Sequence, residues 1–266
     1  MIVFTANRSL PFDASTLSEL EQSIYKQKLI SSIEYLYDDA DDLLFELRFR
    51  RHLLETSLAL SKSGVHFAGF SDSKCNDMYW DRTPKGRFRL KKGESARKAI
   101  NDIFVHGHLY AFECSTAVVV VLYQALLKSI GPRHFDRLFP DLLVFDWEYN
   151  RYLHLIERSY IEEAVIGDVL YFDNPDFSSS TPWWRGQNVV KLDHNLYYGH
   201  GHGVGIVTAN EVITVLNRFR KPYYSKSALL TPPIVHPDFH YFSKFQSTLQ
   251  DPALIAIIGS MTYAGG

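Results

Sequence analysis

Three features of the 266-residue chain predict an α+β single domain. Apolar residues recur at helical spacing through the first half. Short β-branched and aromatic runs, broken by Gly, Pro and Asn, crowd the second half. Between them lies an apolar segment, Ser115 to Ile130, that is too long for an ordinary strand although it carries four consecutive valines. Runs of helix followed by runs of strand indicate segregated α and β layers rather than alternating βαβ units. At 46% apolar, the chain can build a sizeable core. It is expected to divide into an N-terminal arm and helix over 1–39, a core over 40–222, and an irregular C-terminal wrap or tail over 223–266.

Residues 1–14 read as an extended arm. From Ser15, the positions Leu17, Leu20, Ile24, Leu29, Ile30 and Ile33 predict a helix. A second helix is expected from about Ala40 to Ser61, carrying Leu43, Leu44, Leu47, Leu54 and Leu58 and closed by Gly64. The acidic step Asp38-Asp39-Ala40-Asp41-Asp42 suits its N-cap. Cys75 falls in the polar stretch Ser71 to Asp77 and reads as a loop thiol. Seven Lys or Arg lie between Lys85 and Lys98, as a solvated face or a dock for an acidic protein. A short helix from Ser95 to Phe104 leads to the long apolar segment. That segment is a buried helix expected to stop at Gly131-Pro132. Strands are then expected at Asp141–Trp147, Gly167–Phe172, Gln187–Leu192 and Leu196–Val207, with a helix over Asn210–Phe219.

A net charge of −2 supplies no field for nucleic acid, so no nucleic-acid partner is expected. Two cysteines do not make a disulfide scaffold, and Cys114 reads as a free thiol. The start of the sequence lacks a basic segment followed by a sustained apolar run, and the apolar stretch Ala253 to Met261 is too short to span a bilayer. A soluble protein made in the cytoplasm, with no membrane partner, is the expectation. No acidic loop has EF-hand spacing, and no third and fourth ligands stand at motif spacing beside His200 and His202, so no metal is expected.

The chemistry centres on Glu113-Cys114, an acid and a thiol at the start of the long helix. Unpaired N–H groups and partial positive charge at a helix N-terminus stabilise a thiolate, and an adjacent acid can take its proton. In Tyr198-Gly199-His200-Gly201-His202-Gly203-Val204-Gly205-Ile206, glycine occupies every odd position from 199 to 205. As one strand, this would put His200 and His202 on one face and leave the other bare. Such a strand could approach another backbone, hold a metal with two histidines, or turn one imidazole toward Cys114. Trp183-Trp184 is either core packing or the wall of a substrate slot.

These residues bring a resemblance with them. Leu44-Phe45-Glu46-Leu47-Arg48, Lys62-Ser63-Gly64, Tyr79-Trp80, Tyr110-Ala111-Phe112-Glu113-Cys114, Asp146-Trp147, Gly167-Asp168, Leu170-Tyr171-Phe172, Asn174-Pro175, Trp184-Arg185-Gly186 with Asn188, and His200-Gly201 run in order. Over about residues 40–222 the chain resembles the Bacillus-type spore transglutaminases, protein-glutamine γ-glutamyltransferases. The resemblance implies a papain-like, NlpC/P60-type cysteine hydrolase core and a calcium-independent enzyme that needs no cofactor. It implies glutamyl-lysine isopeptide cross-links between spore coat proteins, which supply the Gln and Lys side chains, and a location in the spore coat. Cys114 is then the nucleophile that forms a thioester, with Glu113 and His200 as catalytic partners and His202 as the alternative histidine. Trp147, Trp183, Trp184 and Asn188 are candidates for the substrate tunnel. One departure stands out: the family pattern has a glutamate where this chain has Gln187, which cannot take a proton, so Glu113 is the replacement acid. A cysteine amidase or peptidase on the same scaffold, or a coat protein without activity, are the rival readings.

Overall fold

The structure, a computed structural model, describes residues 1–5, 13–147, 150–246, 254–258 and 261–265. Ser18 starts α1 (Glu19–Ile30) through a reciprocal capping box with Glu21. Asp39 starts α2 (Ala40–Leu60), its carboxylate accepting from the N–H groups of Asp41 and Asp42, so the acidic step is an N-cap. Ser95 caps α3 (Ala96–Val105). The axis of the fold is α4 (Cys114–Leu138), in which every residue from Cys114 to Tyr123 is buried. Its valines are helical because the helix is enclosed by α2, α3 and a sheet, and burial on all sides outweighs strand propensity. By length and composition α4 could cross a membrane, but most of its surface is covered by the rest of the protein. Gly131 ends the first helical run, as expected. It takes φ 78° and ψ 164°, the chain kinks, and Pro132 begins a further helical stretch in the first-turn position proline tolerates.

Short strands brace the helices. β1 (Ile2–Phe4) pairs in parallel with β2 (Tyr35–Tyr37), which places part of the expected arm; its residues 6–12 lie outside the described residues. Next come β3 (His66–Phe67), β4 (Trp80–Arg82), β5 (Phe88–Leu90), β6 (Ala111–Phe112) and β7 (Leu143–Val144). β3 pairs in parallel with β6, and β5 lies between β4 and β7. The strand expected over Asp141–Trp147 contracts to β7. Beyond it Phe145 packs on Phe70 and beneath Arg87.

The main sheet is antiparallel. It contains β8 (Leu155–Arg158), β9 (Val169–Asp173), β10 (Gly186–Asp193), β11 (Leu196–Gly201), β12 (Val204–Val207) and β13 (Leu229–Pro237), in the order β12-β11-β10-β9-β13-β8. Val169, Val190, Tyr198 and Val235 face the core built on α4. Leu170, Phe172, Val189 and Tyr197 face a smaller core closed by Val212 and Leu216 of α5 (Ala209–Asn217).

Two expectations change here. The strand read as Leu196–Val207 is a hairpin, turned at Gly203 with φ 73°, so His202 falls in the turn rather than on a strand with His200, although both rings pack on Phe67. The stretch after 223 wraps the core, but it also supplies β13, seated between β9 and β8. Pro232 and Pro233 concealed that strand. They cannot donate to a ladder, and they sit where the register shifts between Thr231 and Val235. The wrap ends in α6 (Phe239–Ser243), where His240 Nδ1 and Ser243 Oγ reach the Asp42 carboxylate at 2.9 and 2.5 Å. Segments Leu254–Ile258 and Met261–Gly265 pair as antiparallel strands β14 and β15; the apolar run read from Ala253 to Met261 includes positions outside the described residues.

A buried ion network ties α1, α2 and the turn before β9. Glu46 meets Lys28 and Arg50 at 2.7 Å each, and Arg50 meets Asp168 at 2.8 Å.

Candidate active site

Glu113 is the N-cap of α4. Its Oε1 accepts from the backbone N–H of Ser115 at 2.9 Å and of Thr116 at 3.1 Å, and from the Ser115 hydroxyl. Its Oε2 accepts from the Cys114 thiol at 3.4 Å. Adjacent residues meet here because the cap lies just outside the helix while Cys114 is the first residue inside it. From the other side, Asn188 Nδ2 donates to the sulfur at 3.4 Å. Asn188 Oδ1 accepts in turn from Trp147 Nε1 at 3.0 Å, which fixes the amide with its nitrogen toward the sulfur.

The electrostatics describe a resting thiol beside a carboxylate. Burial pushes the Cys114 thiol up, the Glu113 charge pushes it further, and the hydrogen bonds from Asn188 only partly compensate. The helix start therefore does not stabilise a thiolate as the sequence suggested: burial and the Glu113 charge outweigh it, and two of its N–H groups are spent on Glu113. Burial also raises the Glu113 carboxyl; its bonds to Ser115 and Thr116 pull it back, while the Asp146 charge adds to the rise. A carboxylate with raised proton affinity, in contact with a thiol, has what a general base requires.

Cys114, Glu113 and Asn188 line a cleft of about 710 Å³. Trp147 and the half-exposed Trp183 form aromatic walls, with Asp146, Tyr171 and Arg185 beside them.

A sequence profile described as "TGL: Protein-glutamine gamma-glutamyltransferase" matches residues 1–246. A protein-glutamine gamma-glutamyltransferase of Bacillus licheniformis is 40% identical over 240 residues, covering 90% of this chain and 96% of its own. One of Halalkalibacterium halodurans is 37% identical, covering 86% and 80%. Among solved structures, a transglutaminase from Geobacillus stearothermophilus (without C-terminal extension) superposes with a TM-score of 0.75 at 42% identity, covering 79% of this chain and 99% of that one. The chain belongs to the protein-glutamine gamma-glutamyltransferase family.

Not every residue expected at a transglutaminase site reaches the sulfur. His200 Nε2 donates to the carbonyls of Phe112 at 3.1 Å and His66 at 3.3 Å. Burial lowers its pKa to about 4, against the pull of those carbonyls, so the ring is neutral. No hydrogen bond joins it to Cys114 or Glu113 among the described residues. His202 sits exposed in the hairpin turn, edge-on to Phe67 with ring centres 4.8 Å apart. Gln187 lies on the opposite face of β10 from Asn188. Its Nε2 donates to the carbonyls of Asn188 at 2.9 Å and His200 at 3.2 Å. The bare glycines of β11 accommodate that side chain: a Cβ at Gly201 would come within 2.7 Å of Gln187 Oε1. Trp184 is not a cleft wall. It stacks on Phe219 at 3.7 Å and packs against the smaller core. Sequence reasoning missed Tyr171, Arg185 and Phe70 as cleft residues. Strand alternation from Asn188 finds Gly186 on its face; nothing local signals Tyr171 across the ladder.

Proposed function

We propose that this protein joins a protein-bound glutamine to a lysine amine by calcium-independent acyl transfer through Cys114. The observation that carries this reading is the contact of the Cys114 thiol with Glu113 on one side and Asn188 on the other, at the base of an aromatic-walled cleft. Glu113 takes the thiol proton as sulfur attacks the glutamine carboxamide carbon. The oxyanion collapses, the C–N bond breaks, and the protonated Glu113 gives its proton to the departing nitrogen, which leaves as ammonia. A thioester remains. An unprotonated lysine amine attacks it, Glu113 accepts a proton from the new C–N centre, and the thiolate leaves to be reprotonated. Asn188, held by Trp147, orients the sulfur through both halves. His200 has a structural part in this scheme, pinning β11 to β6 and β3 through the carbonyls of Phe112 and His66. Trp147 and Trp183 shield the thioester from water. Spore coat proteins are the proposed substrates, and the spore coat the proposed location.

Incorporation of dansylcadaverine into casein, in the presence of a calcium chelator, tests this reading. Wild type is expected to transfer label and Cys114→Ala to transfer none. Ammonia release without label would identify an amidase, and a signal that survives Cys114→Ala would remove this cysteine from the chemistry.

A further inference from the structure

The oxyanion formed on acylation needs donors, and Glu113 already occupies the Ser115 and Thr116 N–H groups that a bare helix start would offer. What is left at the helix is the N–H of Cys114 itself, which has no hydrogen-bond partner among the described residues. Trp147 Nε1 is committed to Asn188. A second donor must come from elsewhere in the cleft.

Tyr171 fits that need. It lines the same cleft as Cys114 and Asn188. In the β9–β10 ladder it stands directly opposite Asn188, so the two side chains rise on one face as cross-strand neighbours. Its ring leans over Gly186, where an added Cβ would collide with the phenol hydroxyl and the ring carbon bearing it. Gly186 is thus the residue that leaves room for the ring. The Tyr171 hydroxyl makes no hydrogen bond to a described residue. Tyr198, on β11, also has an unpaired hydroxyl, but that one is sealed in the core. Burial raises the Tyr171 phenol, and the Cys114 and Glu113 charges act in the same direction, so the O–H stays protonated at any working pH.

We propose that the Tyr171 hydroxyl is the second oxyanion donor of the acyl-transfer site, paired with the Cys114 N–H. This rests on the acyl-transfer reading above. In the tetrahedral adduct the former carboxamide oxygen carries the charge, and Tyr171 donates to it without giving up its proton. The bond is strongest when the charge is fullest, which is the condition for raising kcat rather than tightening substrate binding.

The test compares two reactions of the same sulfur in Tyr171→Phe. Transfer of dansylcadaverine to casein passes through an oxyanion. Alkylation by iodoacetamide is a displacement at a saturated carbon and forms none. Tyr171→Phe is expected to lower kcat for transfer by on the order of a hundredfold, with KM changed less than threefold. Its alkylation rate and its thermal midpoint should match wild type, since the ring and its packing are kept. Transfer within threefold of wild type in Tyr171→Phe would overturn the proposal. So would an equal loss in both reactions, which would make Tyr171 a group acting on the thiol. Failure of the wild type itself to transfer label would count against the acyl-transfer reading instead.

Discussion

Glu46 and Glu113 are both shielded from water, and the protein treats them in opposite ways. Burial pushes the Glu46 carboxyl up, but Lys28 and Arg50 outweigh it and hold that carboxyl well below the usual range. Lys28 pays part of this cost, its own pKa lowered by burial to about 8. Around Glu113 the first neighbours are a thiol, a hydroxyl and two N–H groups; burial drives the carboxyl upward, and the Asp146 charge adds to the rise. The first cluster balances its charges and fixes three segments of backbone. The second leaves a carboxylate that gains by accepting a proton. A site that moves protons requires the second arrangement, and the fold tolerates it because the first secures α2 and β9 around the same core.

Neutralising each acid separates the two roles. Glu113→Gln keeps the cap, since the amide oxygen still accepts from Ser115 and Thr116, but it removes the base. Transfer should fall by roughly 10²–10⁴-fold, the range general bases supply. Stability should move the other way. The folded pKa of Glu113 lies above its unfolded value of about 4.3, so its favourable contribution exists below that pH and is lost as pH rises through the folded pKa. At pH 7 the variant is therefore expected to melt above wild type, with the gap closing toward pH 4. The acid limb of kcat/KM in wild type, set by this raised carboxyl, should be absent from the residual activity. Near-wild-type turnover would remove Glu113 from the mechanism.

Glu46→Gln should do the reverse. It leaves Lys28 and Arg50 with only Asp168 as a counter-charge, and breaking a buried pair in this way costs roughly 3–5 kcal/mol. In a domain of this size that lowers the thermal midpoint by roughly 10 °C. Glu46 has a depressed folded pKa, so its contribution is present above the unfolded value and lost as pH falls through the folded one. The deficit should thus be full at pH 7 and shrink on acidification, while kcat of the folded fraction stays within a few-fold of wild type. A midpoint within 2 °C of wild type would mean that the network contributes little.

How much of this the sequence disclosed follows from how local each signal is. α2 and the start of α4 were legible because a cap and a periodic apolar face are written in consecutive residues. The Glu113–Cys114 pair was legible for the same reason. β13 was not, because Pro232 and Pro233 argue against a strand and only the register shift makes room for them. The hairpin at Gly203 was hidden by an alternation of glycines that reads equally well as one strand or two. Tyr171 was hidden more deeply. Its place opposite Asn188 is a property of two strands separated by the Trp183-Trp184 turn, and no spacing within either one encodes that register.

Gln187 gives the smallest effect and the sharpest check on the contrast between acids. A glutamate here would be a buried carboxylate placed where neither solution applies. Gln187 donates to two carbonyls, those of Asn188 and His200, and is 4% exposed. Gln187→Glu replaces the donor with an acceptor, leaving a carboxylate against two carbonyl oxygens. The expected cost is roughly 1–3 kcal/mol at pH 7, read as a lower thermal midpoint. Such a carboxyl has a raised folded pKa, so the deficit should fade as pH falls through that raised value and be gone near the unfolded value of about 4.3. Transfer should fall only a few-fold, through strain on the strand that carries Asn188. If Gln187→Glu instead holds its stability and transfers faster, the side chain has turned toward the sulfur. Position 187 would then be a second site for the base, and the demand on Glu113 should relax in Glu113→Gln/Gln187→Glu. A double variant as inactive as Glu113→Gln alone would keep Glu113 as the acid on which the reaction depends.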